Sequence, residues 1–248
     1  MKMNMIAILV TIIILIFLLR RYEIRIKGYL GEWYVSKKLN KLNKRKYKVI
    51  NNLLLKTIKG STQIDHIVIS RYGIFVIETK NYKGIIKGNE YDDNLYQILF
   101  NNKETLRNPI KQNNGHIKVI KDIIPSIKYK NINSIILFTK RAKLKVNTKT
   151  IDTNCKRVNK IIKKYKNKQF TQEEVNYIYE RLKELNVDSF KERKSHIKNV
   201  NRNIKNVEKS LKRNRCPRCG GKLKKKRGRY GRFKGCKNYP QCTFKMNL

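Results

Sequence analysis

Apolar positions follow three different patterns along the chain, and each predicts a different kind of element. Residues 3–19 are uncharged and nearly all apolar, which is typical of a helix that spans a membrane. Residues 28–42 show apolar positions at helical spacing. Residues 64–70 and 74–80 are two β-branched runs on either side of a turn that contains Gly73, which predicts a hairpin.

The first apolar run is interpreted as a single-pass membrane anchor. As a helix it reaches roughly 26 Å at about 1.5 Å per residue, slightly less than a hydrocarbon core of about 30 Å. Basic residues follow it directly, so the rest of the chain is expected in the cytoplasm at the cell membrane. A cleaved signal peptide and a buried helix are the alternatives. The sequence after the run contains no small-residue cleavage site, which disfavours the signal peptide.

The predicted hairpin contains charged residues that need an explanation. Both of its strands are apolar on both faces, which is typical of central strands. Side chains alternate along a strand, so Asp65 is expected to lie opposite Glu78 or Lys80 at the open end of the hairpin. Two carboxylates placed together suit a hard cation such as Mg²⁺, which can activate a water toward a phosphodiester. The alternative is a simple ion pair at a strand end.

Four stretches of this region resemble the nuclease-related domain (NERD) family of the PD-(D/E)xK nuclease superfamily. Asp65 followed by Glu78-Thr79-Lys80 is similar to the D…ExK signature of that superfamily. The resemblance covers about residues 27–145. Its stretches are GEWYV (31–35), STQIDHIVIS (61–70), GIFVIETKNYKG (73–84) and NPIKQN (108–113).

The resemblance implies a role for each matching residue. Asp65 and Glu78 would hold the catalytic Mg²⁺, with the Thr79 carbonyl as a further ligand, and Lys80 would act on the attacking water and the phosphate. The remaining implied site residues are Glu32 as an extra acid on the first helix, and Gln63 and Gln112 as accessory groups. For Glu32, a plain acid at the start of a helix is the alternative.

The three histidines are given no part in this site. His66 alternates with Asp65 and is interpreted as structural, and His196 lies in a basic segment without a functional signal. His116 follows Gln112 on a predicted helix and could face the site, but the interpretation without a role is preferred.

The second half of the chain is predicted to contain a further strand, a helix and an amphipathic segment before its cysteine-rich end. Residues 132–139 read as a buried strand, and residues 171–174 predict a capping box that opens a helix packed on the sheet. Residues 187–212 form a basic linker with apolar residues at 3-4-3-4 spacing, which predicts an amphipathic connector. The predicted units are 3–19, the transmembrane helix; 22–186, the central domain; 187–212, the basic linker; and 213–248, the zinc ribbon.

The zinc ribbon is predicted from Cys216, Cys219, Cys236 and Cys242, which follow the pattern C-x2-C-x16-C-x5-C. Two close pairs of thiolates are the ligand set of a tetrahedral structural zinc. Two disulfides are the alternative, and a reducing compartment disfavours them.

Cations and aromatic residues alternate between the two cysteine pairs. Residues 222–234 carry eight cations and no anion. Cations bind phosphates and aromatic rings stack on bases, so the segment suits single-stranded nucleic acid. Residues 216–244 resemble the C4 zinc finger of bacterial type I topoisomerases, which implies a DNA-binding module without implying a topoisomerase. The expected nucleic-acid-binding residues are Lys224, Lys225, Lys226, Arg227, Arg229, Tyr230, Arg232 and Phe233.

Composition agrees with a polyanionic partner. The 248 residues contain 60 Lys and Arg against 17 Asp and Glu, a formal net charge of +43. Such a charge attracts nucleic acid or anionic lipid. Richness in Lys, Asn, Ile and Tyr together is also typical of an AT-rich genome, so the total charge is a weaker argument than its distribution.

These patterns predict an α/β protein with an N-terminal transmembrane helix, a mixed-sheet domain of PD-(D/E)xK type flanked by helices, and a C-terminal zinc ribbon. The predicted function is a membrane-anchored, Mg²⁺-dependent nuclease that binds DNA through a structural Zn²⁺ module. The alternative is a non-catalytic protein that tethers nucleic acid at the membrane.

Overall fold

A single long helix, α1, runs without a break from Lys2 to Leu39. Its described apolar side chains between Ile8 and Leu19 are exposed, whereas Val35 and Leu39 are buried. Among the described residues, no helix combines the length and the apolar character that a membrane span requires. The transmembrane helix predicted at residues 3–19 is therefore not supported; that segment is the first part of a longer helix, and the side chains of residues 3–6 lie outside the described part.

The structure is a computed structural model and describes residues 2–58, 60–100, 102–127, 130, 132–139, 141–148, 151–152, 155–228 and 231–247. After α1 its elements are β1 (Tyr47–Thr57), β2 (Gly60–Ser70), β3 (Gly73–Lys80), β4 (Gly84–Asn89), β5 (Asn94–Leu99), β6 (Asn102–Arg107), α2 (Pro109–Ile123), β7 (Ile132–Phe138), β8 (Ala142–Asn147), β9 (Ile151–Asp152), α3 (Val158–Lys163), α4 (Gln172–Glu184), α5 (Phe190–Lys212), β10 (Leu223–Gly228), β11 (Gly231–Cys236) and β12 (Lys245–Asn247). These elements give a mixed α/β fold with sheets flanked by helices and a small C-terminal sheet.

The central sheet has the strand order β1-β2-β3-β7-β9. Strands β1, β2 and β3 are antiparallel neighbours, whereas β3, β7 and β9 run parallel to one another. A parallel neighbour needs a crossover connection, and the chain between β3 and β7 supplies it with β4, β5, β6 and α2. The end of β3 is therefore the point at which the chain leaves the central sheet, which it re-enters at β7.

The hairpin predicted from residues 64–80 is confirmed as β2 and β3. Ile67 pairs with Val76 and Ile69 with Ile74, and all four side chains are fully buried. The turn closes with φ of +146° at Gly73, a conformation that side chains rarely allow.

Helices cover both faces of the central sheet. On one face, apolar residues of β1, β2 and β3 pack against α2 and α4. On the other face, Val68, Phe75 and Ile77 pack against the end of α1 and against α3. The predicted capping box is present at the start of α4, where Thr171 and Glu174 bond each other's backbone N–H groups. The core therefore holds β3 rigid between two helical layers.

A second, four-stranded sheet has the order β6-β5-β4-β8. Strand β4 is parallel to β8 and antiparallel to β5. The connection between β4 and β5 carries Asp92 and Asp93, which we call the acidic turn. This sheet lies beside α2, because Ile86 and Leu95 share a buried cluster with Ile110.

Helix α5 joins the central domain to the zinc ribbon, in which β10, β11 and β12 form a three-stranded antiparallel sheet. The helix begins at Ser189, whose side chain accepts from the Glu192 N–H, and Leu211 near its end packs on the buried cysteines. Its apolar residues Ile197, Val200, Ile204 and Val207 are all exposed. The predicted amphipathic connector is thus a helix whose apolar stripe has no cover within the described residues.

Candidate functional site

Asp65 and Glu78 lie next to each other where the ladder between β2 and β3 ends. The last ladder pair is His66 with Ile77, so the next position along each strand is Asp65 on β2 and Glu78 on β3. The backbone N–H of Thr79 donates to Asp65 Oδ2 at 2.8 Å. Both carboxylates are buried, with 9% of Asp65 and 2% of Glu78 exposed. The structure thus brings together the two predicted metal ligands.

The β1–β2 ladder is interrupted beside Asp65. Residue pairs are present at Asn51–His66 and Leu53–Ile64 but not at the intervening positions, where Asn52 has φ of +55°. Gln63, predicted to be an accessory group, instead donates to the Asn52 side chain at 3.4 Å.

Lys80 and Gln112 occupy one oxygen of the Glu78 carboxylate. Lys80 Nζ donates to Glu78 Oε1 at 2.6 Å, and Gln112 Nε2 donates to the same oxygen at 2.7 Å. Lys80 Nζ also donates to Gln112 Oε1 at 3.2 Å, which closes a triangle of three side chains. Charge-assisted hydrogen bonds of this kind fix the carboxylate in one orientation.

The other oxygen of Glu78 is left without a normal hydrogen bond. Oε2 is buried and has no hydrogen-bond partner among the described residues. His116 Nε2 is nearby at 3.3 Å, and His116 Nδ1 lies 2.9 Å from the Thr62 hydroxyl oxygen. His116 was not assigned to the site from the sequence, yet the structure places it there.

Helix α2 is held firmly enough to present Gln112 and His116 to Glu78. Asn108 caps the helix by accepting from the Ile110 N–H, and its side-chain amide donates to the carbonyls of residues 89, 90 and 92. Asn113 is fully buried and donates to the Val76 carbonyl of β3. Gln112 and His116 are four residues apart and so lie on one helix face.

Glu32 reaches the site from α1. The preceding Gly31 is buried where α1 passes β3, and a Cβ at that position would come within 3.3 Å of Asn81 Cβ. Burial raises the pKa of Glu32, and the nearby Glu78 carboxylate raises it further, against the opposing effect of Lys80. A third acidic group therefore lies within electrostatic reach of the pair, as the resemblance implied.

Burial and neighbouring charges shift the pKa values of the two carboxylates in opposite directions. Burial raises the pKa of Asp65 well above its usual value, and the carboxylates of Glu78 and Glu32 add to this effect. Burial also acts to raise the pKa of Glu78, but His116 and the Lys80 ammonium outweigh it, so that this pKa is lowered. Burial acts to lower the pKa of Lys80, but the attraction of Glu78 exceeds this effect, so that the pKa is raised. Of these groups, Asp65 has the carboxylate whose charged form a bound cation would stabilise most.

These residues fit Mg²⁺. The cation takes oxygen ligands, keeps several waters and is usually held by one or two carboxylates. Asp65 and Glu78 supply two carboxylates, and the buried Oε2 of Glu78 is an acceptor without a partner among the described residues. Across the described residues, the four cysteines are the only group of three or more His, Cys, Asp or Glu side chains close enough to share an ion. A cation here would therefore depend on these two carboxylates and on water.

The four cysteines of the zinc ribbon converge, as predicted. Their sulfur atoms all lie within 4.8 Å of one another, and none is in a disulfide. Cys216 Sγ lies 3.6 Å from Cys242 Sγ, and Cys219 Sγ lies 3.3 Å from Cys236 Sγ. Tetrahedral Zn–S bonds of about 2.3 Å place sulfurs about 3.8 Å apart, which agrees with this spacing. The clustering of all four sulfurs without a disulfide favours a zinc site over the disulfide alternative.

The ribbon exposes most of its predicted nucleic-acid-binding residues. Residues 224–227 of β10 are exposed, and so is Arg232 on β11. Phe233 is half-buried opposite Lys226, whose Nζ lies 5.7 Å from the centre of the exposed Tyr239 ring. The predicted contacts Arg229 and Tyr230 lie outside the described residues.

Cations of the ribbon pair with the acidic turn of the central domain. Arg218, between the first two cysteines, donates to Asp93 Oδ1 at 2.7 Å. Lys111 on α2 donates to the same oxygen at 2.6 Å, and Lys245 lies 3.4 Å from Asp92. The acidic turn thus contacts both the ribbon and the helix that carries Gln112.

Two family models match the chain. The nuclease-related domain matches residues 27–139, and the topoisomerase DNA binding C4 zinc finger matches residues 213–248. An uncharacterized protein of Bacillus anthracis is 37% identical over 181 residues, which cover 69% of this chain and 82% of that protein. No solved structure matches.

Shorter matches link the chain to topoisomerases. DNA topoisomerase 1 of Helicobacter pylori is 59% identical over 29 residues, 12% of this chain and 4% of that enzyme. The topoisomerase of Methanothermobacter thermautotrophicus is 57% identical over 34 residues, 14% of this chain and 5% of that enzyme. Fold and site define a nuclease-like α/β domain joined to a C4 zinc ribbon. The chain belongs to the nuclease-related domain family.

Proposed function

We propose that the protein is a Mg²⁺-dependent nuclease that hydrolyses phosphodiesters in DNA. The observation that carries the proposal is the hydrogen-bonded cluster at the end of β3, in which the buried carboxylates of Asp65 and Glu78 lie with Lys80 and Gln112. Asp65 and Glu78 would hold the cation, and Glu32 would add negative charge nearby. Bound Mg²⁺ would supply Lewis acidity and lower the pKa of a coordinated water.

Lys80 is assigned an electrostatic role. Its raised pKa keeps the amine protonated at neutral pH, so the side chain donates hydrogen bonds and does not remove a proton. A fixed ammonium beside the carboxylates can orient the attacking water and stabilise the negative charge that develops on the phosphate. Gln112 keeps both Lys80 and Glu78 in place by bonding to each.

DNA binding is assigned to the zinc ribbon. The support is the match to a topoisomerase DNA-binding finger together with the exposed cations of β10 and Arg232. Lys226 and Tyr239 place a cation next to an exposed ring, a combination that suits backbone phosphates and a stacked base. Single-stranded DNA is therefore the form that this surface is proposed to favour.

Attachment to the cell membrane is a separate part of the proposal. It rests on the exposed apolar side chains of α1 between Ile8 and Leu19, because such a surface is stabilised by lipid. The zinc thiolates need a reducing compartment, so both domains are placed on the cytoplasmic side. Carbonate extraction of membranes tests this part: the full chain should stay in the pellet, and a chain lacking residues 2–21 should be released. Release of both chains would remove the attachment from the proposal.

The nuclease assignment is tested with purified full-length protein on linear, circular and single-stranded DNA. Cleavage should require Mg²⁺ and should be lost in Asp65→Asn. If the wild type cleaves none of the substrates while binding DNA, the non-catalytic tethering protein becomes the better assignment.

A further inference from the structure

His116 is the residue beside the one oxygen of Glu78 that Lys80 and Gln112 leave free. We infer that His116 is a positioning residue of the site, which orients the Glu78 carboxylate so that Oε2 stays available to a divalent cation. The inference rests on the proposed function for the identity of the site. It adds a residue that lies outside the D…ExK signature.

The contacts of the imidazole define where its proton lies. Nε2 is 3.3 Å from Glu78 Oε2 and, at the limit of a hydrogen bond, 3.5 Å from Gln112 Nε2, and Nδ1 is 2.9 Å from the Thr62 hydroxyl. A nitrogen lone pair that faced a carboxylate oxygen would repel it, so the network assigns a proton to Nε2. In the Nε2–H tautomer, Nδ1 accepts from the Thr62 hydroxyl. The Thr62 hydroxyl therefore favours the tautomer in which the Nε2–H of His116 faces the Glu78 carboxylate.

The ring has little freedom to leave this position. His116 is 6% exposed, and it extends from α2, which Asn108 and Asn113 bind to the rest of the domain. Gln112, one turn earlier on the same face, holds Oε1 of the same carboxylate. One helix thus reaches both oxygens of Glu78: Gln112 bonds to Oε1, whereas Oε2, 3.3 Å from His116 Nε2, has no hydrogen-bond partner among the described residues.

His196 provides a matched control. Its Nδ1 lies 2.9 Å from the hydroxyl of Ser61, the neighbour of Thr62 on β2. The two histidines therefore make the same kind of contact with adjacent residues of one strand. His196 comes from α5, and its described contacts do not include Glu78. A purely structural role would make both histidines matter for folding and neither for metal binding.

The test measures Mn²⁺ binding to the full chain by electron paramagnetic resonance, with Cys216, Cys219, Cys236 and Cys242 kept loaded with zinc. His116→Leu fills the space of the imidazole without a hydrogen-bond donor, whereas His116→Gln supplies an N–H donor. Changes in residues that orient metal ligands typically weaken metal binding about 10- to 100-fold. We expect this weakening in His116→Leu, substantial recovery in His116→Gln and wild-type binding in His196→Ala.

Thermal unfolding followed by circular dichroism verifies that each variant folds. If His116→Leu does not fold, Thr62→Val removes only the hydroxyl that orients the ring and should weaken Mn²⁺ binding while the protein remains folded. Wild-type Mn²⁺ affinity in folded His116→Leu or Thr62→Val would overturn the inference. Equal losses in His116→Leu and His116→Gln would also overturn it, because the N–H would then be irrelevant.

Failure of this inference is distinguishable from failure of the nuclease proposal. If the wild type binds Mn²⁺ but cleaves no DNA, and His116→Leu weakens that binding, the positioning role stands without the activity. If the wild type cleaves DNA and His116→Leu binds Mn²⁺ normally, the activity stands without the positioning role. In a cleaving enzyme, the variant should need more Mg²⁺ for half-maximal rate and recover much of its rate at saturating Mg²⁺.

Discussion

The central domain and the zinc ribbon place charge in opposite ways. The central domain buries Glu78 and holds the half-buried Lys80 against it in a hydrogen-bonded network, between two helical layers that supply an apolar core. In the described part of the ribbon, the cations of β10 and Arg232 are exposed, and the buried cluster is small and built around the cysteines. The comparison teaches that a large apolar core allows one region to hold charged groups in its interior, whereas the core of the other region is centred on four cysteines that could share a metal.

The largest expected effect is on the ribbon. Cys216→Ser should release zinc and unfold residues 213–248 while the central domain keeps its melting transition, because zinc binding contributes about 10–16 kcal/mol in such modules. Zinc content by mass spectrometry and circular dichroism measure the two effects. Cys155→Ser, at a buried thiol of the central domain, is the control and should keep its zinc. Zinc bound near one equivalent in Cys216→Ser would contradict the ligand assignment.

Loss of a carboxylate should abolish catalysis without loss of DNA binding. Asp65→Asn and Glu78→Gln are expected to reduce Mg²⁺-dependent cleavage to background and to keep or slightly raise DNA affinity, because each removes a charge that repels phosphate. Lys80→Ala should lower the rate by about 10²–10³. Gel-based cleavage and fluorescence anisotropy measure these effects, and Glu184→Gln on the exposed surface of α4 serves as control. Cleavage by Asp65→Asn at the wild-type rate would refute the assignment.

The raised pKa of Asp65 predicts a pH-dependent stability in the absence of divalent cations. Its folded-state pKa lies above the unfolded value, so its stabilising contribution is complete below the unfolded pKa and is lost as pH rises through the folded pKa. At neutral pH in EDTA, Asp65→Asn should therefore melt above the wild type, by about 2–4 °C for each kcal/mol. Mg²⁺ should raise the melting temperature of the wild type only. A wild type that melts above the variant at neutral pH in EDTA would contradict the raised pKa of Asp65.

The exposed cations of the ribbon should determine how DNA affinity depends on salt. Replacing Lys225, Arg227 or Arg232 with Gln should lower the slope of log affinity against log salt by about 0.9 on duplex, or about 0.7 on single strands, for each phosphate that the variant no longer neutralises. Deleting residues 213–248 should flatten the slope further. Lys183→Gln on α4 is the control, and an unchanged slope after the deletion would show that DNA binds elsewhere.

The smallest effect is expected at the acidic turn. Asp93→Asn removes the charge shared by Arg218 and Lys111, and pairs between exposed side chains contribute about 0–1 kcal/mol. The variant should unfold within that margin of the wild type in urea and bind DNA slightly more tightly, because Arg218 is released. Weaker DNA binding in Asp93→Asn would mean that the ion pair with Arg218 orients the ribbon for DNA.

The parts predicted from the sequence are those encoded by short-range patterns. Two β-branched runs around Gly73 were sufficient to predict the hairpin, and the spacing of the cysteines was sufficient to predict the ribbon. The position of Asp65 beside Glu78 followed from strand alternation and the register of that hairpin. Glu32 and Gln112 were assigned through resemblance, since no local pattern places a helix residue near a strand end.

The missed features depend on contacts between distant segments. His116 and Thr62 are separated by 54 positions in the chain, and only the packing of α2 on β2 brings them together. The spacing of Gln112 and His116 by one helical turn was the available signal. The second sheet was not predicted because β4, β5 and β6 are short and partly exposed, so their apolar alternation is weak. The sequence predicted separate helical segments at residues 3–19 and 28–42, because the first is nearly all apolar and the second is amphipathic, whereas the structure has one helix, α1.

Helix α5 bears on how DNA would reach the acidic site of the central domain. It connects the two regions as a helix of 23 residues, about 35 Å long, and Arg218 and Lys245 contact the acidic turn of the central domain. If the ribbon binds DNA, a bound strand is held in the same molecule as the acidic site, which raises its effective concentration there. The acidic site, which itself repels phosphate, then needs little affinity of its own, and the choice of substrate passes to the ribbon.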